Sequence, residues 1–374
     1  MVVKRVLHMI SGNGETSYAN NSIHQIISIL QKTVMLKAWP VLKDTLQDMH
    51  TVAFGDCFKI ADLGCSTGLN SLSVISEIID TICELCKKNS QKAPEFHVSL
   101  NDLPDNDFNS IFTSLQEFYV KFRKEKGNKP VVCYISGVPG SFHGRLFSSN
   151  SQHLFHSSYS VHWLSQVPEV LEDSKGNIYM ARTSPASVFE AYLKQFQMDF
   201  SKFLRLRSEE ILPRGCMVLT FLGRSIADPN SKDSCCLWEL LAQSLNDMVS
   251  EGHIKEEEFK SFNIPLYTPY RDEVKDVIDE EGSFTLVRLE TFEVNWDPRD
   301  NDMTEFVFDK HDSGKMLAKT IRAVTEPLLI SHFGNFRIDD LFERYAAHAA
   351  EHLAKEKTTY FNIVVSLTKK KLPI

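Results

Sequence analysis

The sequence predicts an α/β fold built on a parallel sheet, with a helical region added to it. In the stretch 58–70 an apolar strand breaks at a glycine turn, and a helical pattern follows the turn. Further short apolar strands begin near Phe96, Val131 and His153, and each leads into a polar segment. Beyond Phe262 the pattern shifts toward helices. Together these three observations indicate alternating strands and helices followed by a helical cap.

Length and composition exclude several classes of protein. The 374 residues are 43% hydrophobic, which is enough for one large domain or a domain with a cap. The formal net charge of -8 argues against a nucleic-acid partner. We find no apolar run long enough to cross a membrane and no secretory signal at the amino end. Eight cysteines are too few for a disulfide framework, and Cys83 and Cys86 form a CxxC within a helical pattern. We therefore expect a reduced cytoplasmic protein with neither nucleic acid nor membrane as its partner.

The glycine turn at residues 64–68 carries the first functional signal. Gly64 allows the backbone to bend and to approach a ligand closely. Asp62, at the end of the preceding strand, can accept hydrogen bonds from an ammonium group or from ribose hydroxyls. A carboxylate suits a cationic ligand without phosphate, and S-adenosylmethionine is such a ligand. The alternative is a purely structural strand-to-helix turn.

The polar opening at residues 11–22 leads into a helical pattern near Ser22. One interpretation is a capped helix start with solvated polar groups. The other is a lid over a ligand, with Tyr18, Ser22 and Gln25 pointing inward. Propensity alone does not separate the two.

Two further loops follow predicted strands. Asp102 follows the second strand, where α/β cofactor folds place the acidic residue that binds ribose hydroxyls. A helix-capping Asp is the alternative. The loop 137–142 offers backbone amides, the Ser141 hydroxyl and the Phe142 ring, which could lie against an adenine, although a plain turn would have the same composition.

An aromatic cluster follows the strand at residues 153–158. Tyr159, His162 and Trp163 lie within five residues. Buried Tyr and Trp side chains need partners for their polar tips, so such a cluster is unusual in a plain core. We interpret it as the wall of a ligand site.

The remaining elements follow from periodicity. The pattern predicts helices over residues 72–85, 185–212, 237–249, 272–279, 316–329 and 338–353, and strands over 217–222, 284–294 and 359–367. Residues 296–314 are rich in charge and poor in apolar periodicity, which indicates a surface insertion.

Blocks of sequence along almost the whole chain resemble the plant SABATH methyltransferases, which methylate carboxylates of small acids or ring nitrogens of xanthine alkaloids. The blocks are SGNGETSYANNS, IADLGCSTGLN, LNDLPDNDFN, GVPGSFHGRLF, HSSYSVHWLSQVPE, NIYMARTSP, FNIPLYTP and RAVTEPLL. The resemblance implies a Rossmann-like class I methyltransferase core with an α-helical cap, and commonly a homodimer. We expect one methyltransferase unit over 1–374. Its core would comprise residues 50–225, 284–294 and 359–367. Its helical cap would comprise residues 1–30, 226–280 and 315–355.

The resemblance also assigns residues to the site. Its contacts to S-adenosylmethionine, whose product is S-adenosylhomocysteine, fall on Tyr18, Ser22, Asp62, Cys65, Asn70, Asp102, Leu103, Ser141, Phe142 and Ser157. Its contacts to the methyl acceptor fall on Gln25, Tyr159, His162, Trp163, Leu222, Trp238, Ile321, Val324 and Tyr360. Some members carry Mg²⁺ near the positions of Asn177, Phe262 and Asn263, but Lys260 stands where they have an acidic residue. Ile10 is a second departure, because relatives carry Lys or Asn there.

The main functional hypothesis is carboxyl methylation of a benzoate- or salicylate-like acid by in-line displacement. Such an acid has a pKa of ~4, so it is already ionised near neutral pH and needs no general base. Gln25 and Trp163 would bind the two carboxylate oxygens, while Tyr159, Trp238 and Leu222 would enclose the ring.

Two alternatives stay open. His162 and the polar tip of Tyr360 also suit N-methylation of a xanthine. The third hypothesis is a ligand-binding relative that has lost catalysis, which would bind the cofactor without transferring its methyl group.

Overall fold

A computed structural model describes residues 26–50, 54–126, 131–169, 176–297, 308–334 and 336–371. The helices in these ranges are α1 Ile26–His50, α2 Leu69–Lys88, α3 Phe108–Lys126, α4 Ala186–Glu210, α5 Lys232–Ser250, α6 Glu256–Ser261, α7 Arg271–Glu281, α8 Lys310–Phe333 and α9 Ile338–Leu353. The strands are β1 Cys57–Leu63, β2 Glu95–Asp102, β3 Cys133–Pro139, β4 Gln152–Ser158, β5 Ile211–Leu222, β6 Phe284–Asn295 and β7 Thr359–Lys369. Within the described ranges, no helix is both long and apolar enough to span a membrane.

The strands form one seven-stranded sheet in the order β3-β2-β1-β4-β5-β7-β6. Strands β1 to β5 are parallel, and β7 runs antiparallel to both of its neighbours. The order reverses between β1 and β4, because the chain first adds β2 and β3 on one side and later β4 and β5 on the other. A crevice opens at such a reversal beyond the carboxyl ends of the strands, and this is where open α/β sheets bind ligands.

The sheet is buried on both faces. Phe58 and Ile60 of β1 pack in a core with residues of α1, α2 and α3. Ala61 and Leu63 pack in a second core with residues of α4, α5, α7, α8 and α9. Because successive strand residues point to opposite faces, one short strand supplies both cores. The predicted α/β fold is confirmed.

Some sequence-based boundaries were incomplete or wrong. The helix predicted to run to Leu212 ends at Glu210, and β5 begins at Ile211. The sequence analysis did not predict α3, nor the continuation of α1 past residue 30.

The predicted surface insertion 296–314 is also wrong at both ends. Trp296 is buried against the rings of Tyr360 and His352. Gly314 lies in the first turns of α8, so close to Ala350 of α9 that a Cβ atom would crowd it. Residues 298–307 lie outside the described ranges. The division of the chain into core and cap segments stays a prediction.

Candidate functional site

Two adjoining cavities lie at the carboxyl ends of β1, β2 and β4. The first, here called the aromatic cavity, opens to solvent and has a volume of about 150 Å³. Its walls include Asp102, Phe142 and the Tyr159–Trp163 segment. The second, here called the Asp62 cavity, lies between α1, α2 and the end of β1. Both cavities are lined by Gly64, Ser66 and Ser158, so they adjoin there, and the two together are here called the cleft.

The glycine turn shapes the floor of this cleft. Gly64 has a φ of +80°, which glycine adopts far more readily than other residues. A Cβ atom at Gly64 would overlap the Ser160 side chain. The amides of Gly64 and Cys65 both donate to the carbonyl of Asn101, at 2.9 Å each. The turn therefore depends on glycine both for its φ and for its close approach to the segment after β4.

Asp102 projects from the end of β2 into the aromatic cavity. Its Oδ2 accepts the Ser66 amide at 2.6 Å, and its Oδ1 accepts the Leu103 amide at 2.8 Å. Burial raises the pKa of Asp102 to about 6, partly offset by these two amides, while the nearby Asp62 raises it further. Asp102 is thus fixed by backbone groups at a point where a ligand hydroxyl can reach it.

Asp62 and His156 form a buried pair in the Asp62 cavity. The two residues are partners in the parallel register of β1 and β4, and His156 Nδ1 lies 2.5 Å from Asp62 Oδ1. Only 3% of Asp62 and 7% of His156 are exposed. The sequence analysis predicted Asp62 as a ligand-binding residue but missed His156.

Most of the described residues predicted to bind the cofactor line the cleft. Those on the walls of the aromatic cavity are Asp102, Leu103, Ser141 and Phe142, and those on the walls of the Asp62 cavity are Asp62, Cys65 and Asn70. The structure does not place Ser157 on either wall, because its Oγ is buried and donates to the Leu63 carbonyl at 2.8 Å. Its neighbour Ser158 lines both cavities instead. Tyr18 and Ser22, together with Ile10, lie outside the described residues.

All described residues predicted to contact the methyl acceptor line the aromatic cavity. They are Tyr159, His162, Trp163, Leu222, Trp238, Ile321, Val324 and Tyr360, and Gln25 lies outside the described residues. They come from the turn after β4 and from β5, α5, α8 and β7. Thr320 and Leu266, which no sequence pattern indicated, also line this cavity.

The polar tips of the wall are fixed in different ways. Tyr159 has a φ of +60° in the turn after β4, and its hydroxyl donates to Asn362 Oδ1 at 2.5 Å. His162 Nδ1 accepts the Leu222 amide at 3.1 Å, so the proton of the neutral ring lies on Nε2. Burial lowers the pKa of His162 to about 3, which keeps the ring neutral. The Tyr360 hydroxyl is buried and has no hydrogen-bond partner among the described residues.

A buried ion pair braces the loop that carries Ser141 and Phe142. Arg207 donates to the carbonyls of Phe142 at 3.0 Å and Gly144 at 2.7 Å. Glu210 pairs with Arg207 and accepts the amides of the two residues at 146 and 147. Both charged side chains are fully buried. This pair was not predicted from the sequence, although Arg207 and Glu210 are spaced three residues apart on a helix.

Comparison with known proteins agrees with this geometry. A family model described as SAM dependent carboxyl methyltransferase matches residues 4–370. The chain belongs to this family. It is 48% identical over 369 residues to the S-adenosyl-L-methionine:benzoic acid/salicylic acid carboxyl methyltransferase 2 of Petunia hybrida, covering 99% of each chain. It is 46% identical over 379 residues to the salicylate carboxymethyltransferase of Clarkia breweri, again covering 99% of each.

Among solved structures, a loganic acid methyltransferase with SAH matches with a TM-score of 0.80 and 32% identity. The match covers 97% of this chain and 99% of that chain. The resemblance drawn from the sequence blocks, the class I methyltransferase fold and S-adenosylmethionine as cofactor are therefore confirmed. The chain is an S-adenosylmethionine-dependent carboxyl methyltransferase.

The donor set of the cleft fits this cofactor. Asp62 and Asp102 supply two carboxylates for a ligand that carries an ammonium, a sulfonium and ribose hydroxyls. Phe142 supplies an aromatic face. Its ring packs against that of Phe203 in an edge-to-face arrangement, with the two ring centroids 6.1 Å apart. Burial raises the pKa of Cys65, so the thiol stays protonated and adds no competing anion.

The residues predicted to hold Mg²⁺ do not fit that ion. The Ile264 amide donates to the Ile178 carbonyl at 2.8 Å, which brings the segments of Asn177 and Asn263 together. However, Phe262 is buried among rings, and Lys260 pairs with Glu256 on the surface. No cluster of potential metal-binding His, Cys, Asp or Glu occurs in the part of the chain that the structure describes. Mg²⁺ prefers carboxylate oxygens, and this donor set supplies none.

Proposed function

We propose that the chain methylates the carboxylate of a benzoate- or salicylate-like aromatic acid. The observation that carries this proposal is the aromatic cavity, whose rings bear neutral N–H and O–H donors beside the Asp102 end of the cleft. The names of the relatives from Petunia hybrida and Clarkia breweri support the same class of acceptor.

The proposed chemistry needs positioning and no proton transfer. An aromatic acid with a pKa of ~4 is ionised at neutral pH. S-adenosylmethionine supplies a methyl group activated by its sulfonium. The Trp163 indole N–H and the Gln25 amide would hold the carboxylate, with the attacking oxygen about 3 Å from the methyl carbon. His162 would not act as a base, because its Nδ1 already accepts the Leu222 amide.

We also propose how the cofactor lies in the cleft. Its ribose hydroxyls would donate to Asp102, its adenine would lie against Phe142, and its ammonium would reach Asp62. This order places the sulfonium near Gly64 and Ser158, where the two cavities meet. The methyl group would then point toward the Tyr159–Trp163 wall.

The Tyr360 hydroxyl, which has no hydrogen-bond partner among the described residues, favours a second candidate function. A buried hydroxyl without a partner is unfavourable, so an acceptor with an additional oxygen or nitrogen would satisfy it. Xanthines carry such atoms, and N-methylation of a xanthine is therefore the alternative. The carboxylate hypothesis is preferred because of the curated relatives.

An acceptor screen tests the proposal directly. The purified chain is incubated with S-adenosylmethionine and benzoate, salicylate or xanthine, and products are identified by mass spectrometry. We expect methyl esters of the acids. Methylated xanthine as the main product would support the alternative, and cofactor binding without transfer to any acceptor would support the catalytically silent relative.

A matched pair of variants then tests the role of Trp163. Trp163→Phe keeps the ring but removes the N–H, and loss of a hydrogen bond to a charged group is expected to lower kcat/KM for the acid by about 10- to 100-fold. Trp296→Phe makes the same change outside both cavities, at a ring that packs behind Tyr360, and it should lower kcat/KM much less than Trp163→Phe does. Equal effects of the two variants would contradict the proposed contact.

We propose further that the chain forms a homodimer in the cytoplasm. Exposed apolar side chains on α3 and the edge strand β3, including Phe112, Val120 and Tyr134, support association. The eight cysteines, all among the described residues, form no disulfide, which suits a reducing compartment. Light scattering after size-exclusion chromatography measures the mass, and a fluorescent fusion reports the location.

A further inference from the structure

We propose that His156 is a positioning residue that holds the Asp62 carboxylate for the amino-acid end of the cofactor. This inference rests on the cofactor placement under Proposed function. It adds to that placement a residue which no sequence motif assigned and which acts through Asp62.

The backbone already fixes the two partners. Asp62 and His156 face each other across the parallel ladder of β1 and β4, in register with Ile60–Leu154 and Ala61–Phe155. The distance of 2.5 Å between His156 Nδ1 and Asp62 Oδ1 is a short hydrogen bond in which Nδ1–H donates to the carboxylate. Rigid central strands and burial of both side chains leave this carboxylate one orientation.

The two carboxylate oxygens of Asp62 differ in their hydrogen bonds. His156 occupies Oδ1, and no donor of the described residues reaches Oδ2. Asp62 and His156 both line the Asp62 cavity, beside Gly64 and Asn70. Oδ2 is therefore available to an ammonium group that enters from the point where the two cavities meet. At metal sites, a hydrogen-bond partner that orients a ligating side chain commonly raises the affinity for the metal. By analogy, His156 would raise the affinity of Asp62 for the ammonium group.

The charged surroundings are mixed. Lys32 of α1 and Glu77 of α2 line the same cavity, and Asp102 of β2 interacts electrostatically with Asp62. Two neighbouring carboxylates repel each other, and each one is stabilised in its ionised form by a hydrogen-bond donor of its own. The Nδ1–H of His156 supplies such a donor for Asp62, while Asp102 uses the amides of Ser66 and Leu103.

Binding measurements with two ligands separate this role from a purely structural one. S-adenosylhomocysteine has the amino-acid end, whereas 5′-methylthioadenosine has the same nucleoside without it. Calorimetry on the full chain with His156→Leu is expected to show about tenfold weaker binding of S-adenosylhomocysteine and nearly unchanged binding of 5′-methylthioadenosine. Equal loss for both ligands, or no loss for either, would overturn the proposal.

Two amide variants keep the test valid if His156→Leu does not fold. The Nδ2–H of His156→Asn can replace the Nδ1–H of the imidazole, whereas the longer His156→Gln places its amide near the position of Nε2. We expect Asn to retain more affinity for S-adenosylhomocysteine than Gln. The reverse order, or equal affinities, would contradict a donor at Nδ1.

Asp62→Asn distinguishes failure of this inference from failure of the cofactor placement. If Asp62→Asn selectively weakens S-adenosylhomocysteine and the His156 variants do not, the placement stands and the role of His156 is wrong. If Asp62→Asn weakens both ligands equally or neither, the placement itself is wrong.

Discussion

Cofactor binding is expected to weaken as the pH falls through 6, because Asp102 must be ionised to accept ribose hydroxyls. Burial raises the pKa of Asp102 from 3.8 to about 6 in the free chain. If only the ionised form binds, the apparent Kd grows by the factor 1 + 10^(pKa − pH). Between pH 7.5 and pH 5 this factor rises about tenfold, which corresponds to about 1.4 kcal/mol.

The direction follows from proton linkage. The pKa of Asp102 is higher in the folded chain than in the unfolded one, so the folded chain binds more protons between pH 4 and 6 and its stability falls as the pH rises through that window. A ligand that donates to the carboxylate favours ionisation and therefore opposes this trend. Binding should thus release a proton near pH 5 and none near pH 8.

Calorimetry with S-adenosylhomocysteine at pH 5, 6, 7 and 8 measures both quantities. Asp102→Asn should bind weakly at every pH and lose most of the pH dependence. Asp105→Asn is the matched control, because Asp105 is exposed in the same loop and lines neither cavity. A pH dependence that survives unchanged in Asp102→Asn would refute the reasoning.

Three further predictions concern the supports of the cleft. Gly64→Ala is expected to abolish cofactor binding in calorimetry, because the new Cβ would overlap Ser160. The control Gly55→Ala is also at positive φ but has nothing within 4 Å of the new Cβ, so it should bind the cofactor normally. Intact cofactor binding by Gly64→Ala would contradict this prediction. Arg207→Met should lower the free energy of unfolding in urea by about 3 kcal/mol, since the fully buried Glu210 would keep only the partly exposed Arg145 as a cationic partner. Arg182→Met at a surface pair should lower it by about 1 kcal/mol or less, and similar losses for the two variants would contradict a role of Arg207 in bracing the loop. Tyr360→Phe should leave the midpoint of thermal unfolding unchanged or slightly higher, because it removes a buried hydroxyl that has no hydrogen-bond partner among the described residues. A clear decrease in the midpoint would reveal a partner.

The local parts of the site could be predicted from the sequence. The glycine turn at 64–68 and the Tyr159–Trp163 cluster each lie within a few residues, and each follows a strand with a clear apolar pattern. In contrast, Trp238 and Tyr360 were assigned to the wall only through the family resemblance. They reach it from α5 and β7, and no local pattern encodes that meeting.

The missed features have two different physical causes. The helix α3 carried a readable signal, since Phe108, Ile111, Leu115, Phe118 and Phe122 follow helical spacing and pack toward the sheet. The Asp62–His156 pair carried none, because it depends on the register of β1 against β4, which are separated by two other strands in the chain. A single sequence does not encode register between distant parallel strands in any local pattern.

The distribution of charge explains how one cleft could hold a cationic cofactor beside an anionic acceptor. The lining of the aromatic cavity, as far as the structure describes it, contains no Lys or Arg, and His162 stays neutral. The carboxylates of Asp62 and Asp102 lie where we propose that the cofactor binds. A cation in the wall would bind acids without the cofactor and would repel the sulfonium. If the wall offers only neutral donors, the positive partner of the proposed acid would be the sulfonium itself, and that attraction would align the oxygen with the carbon it attacks.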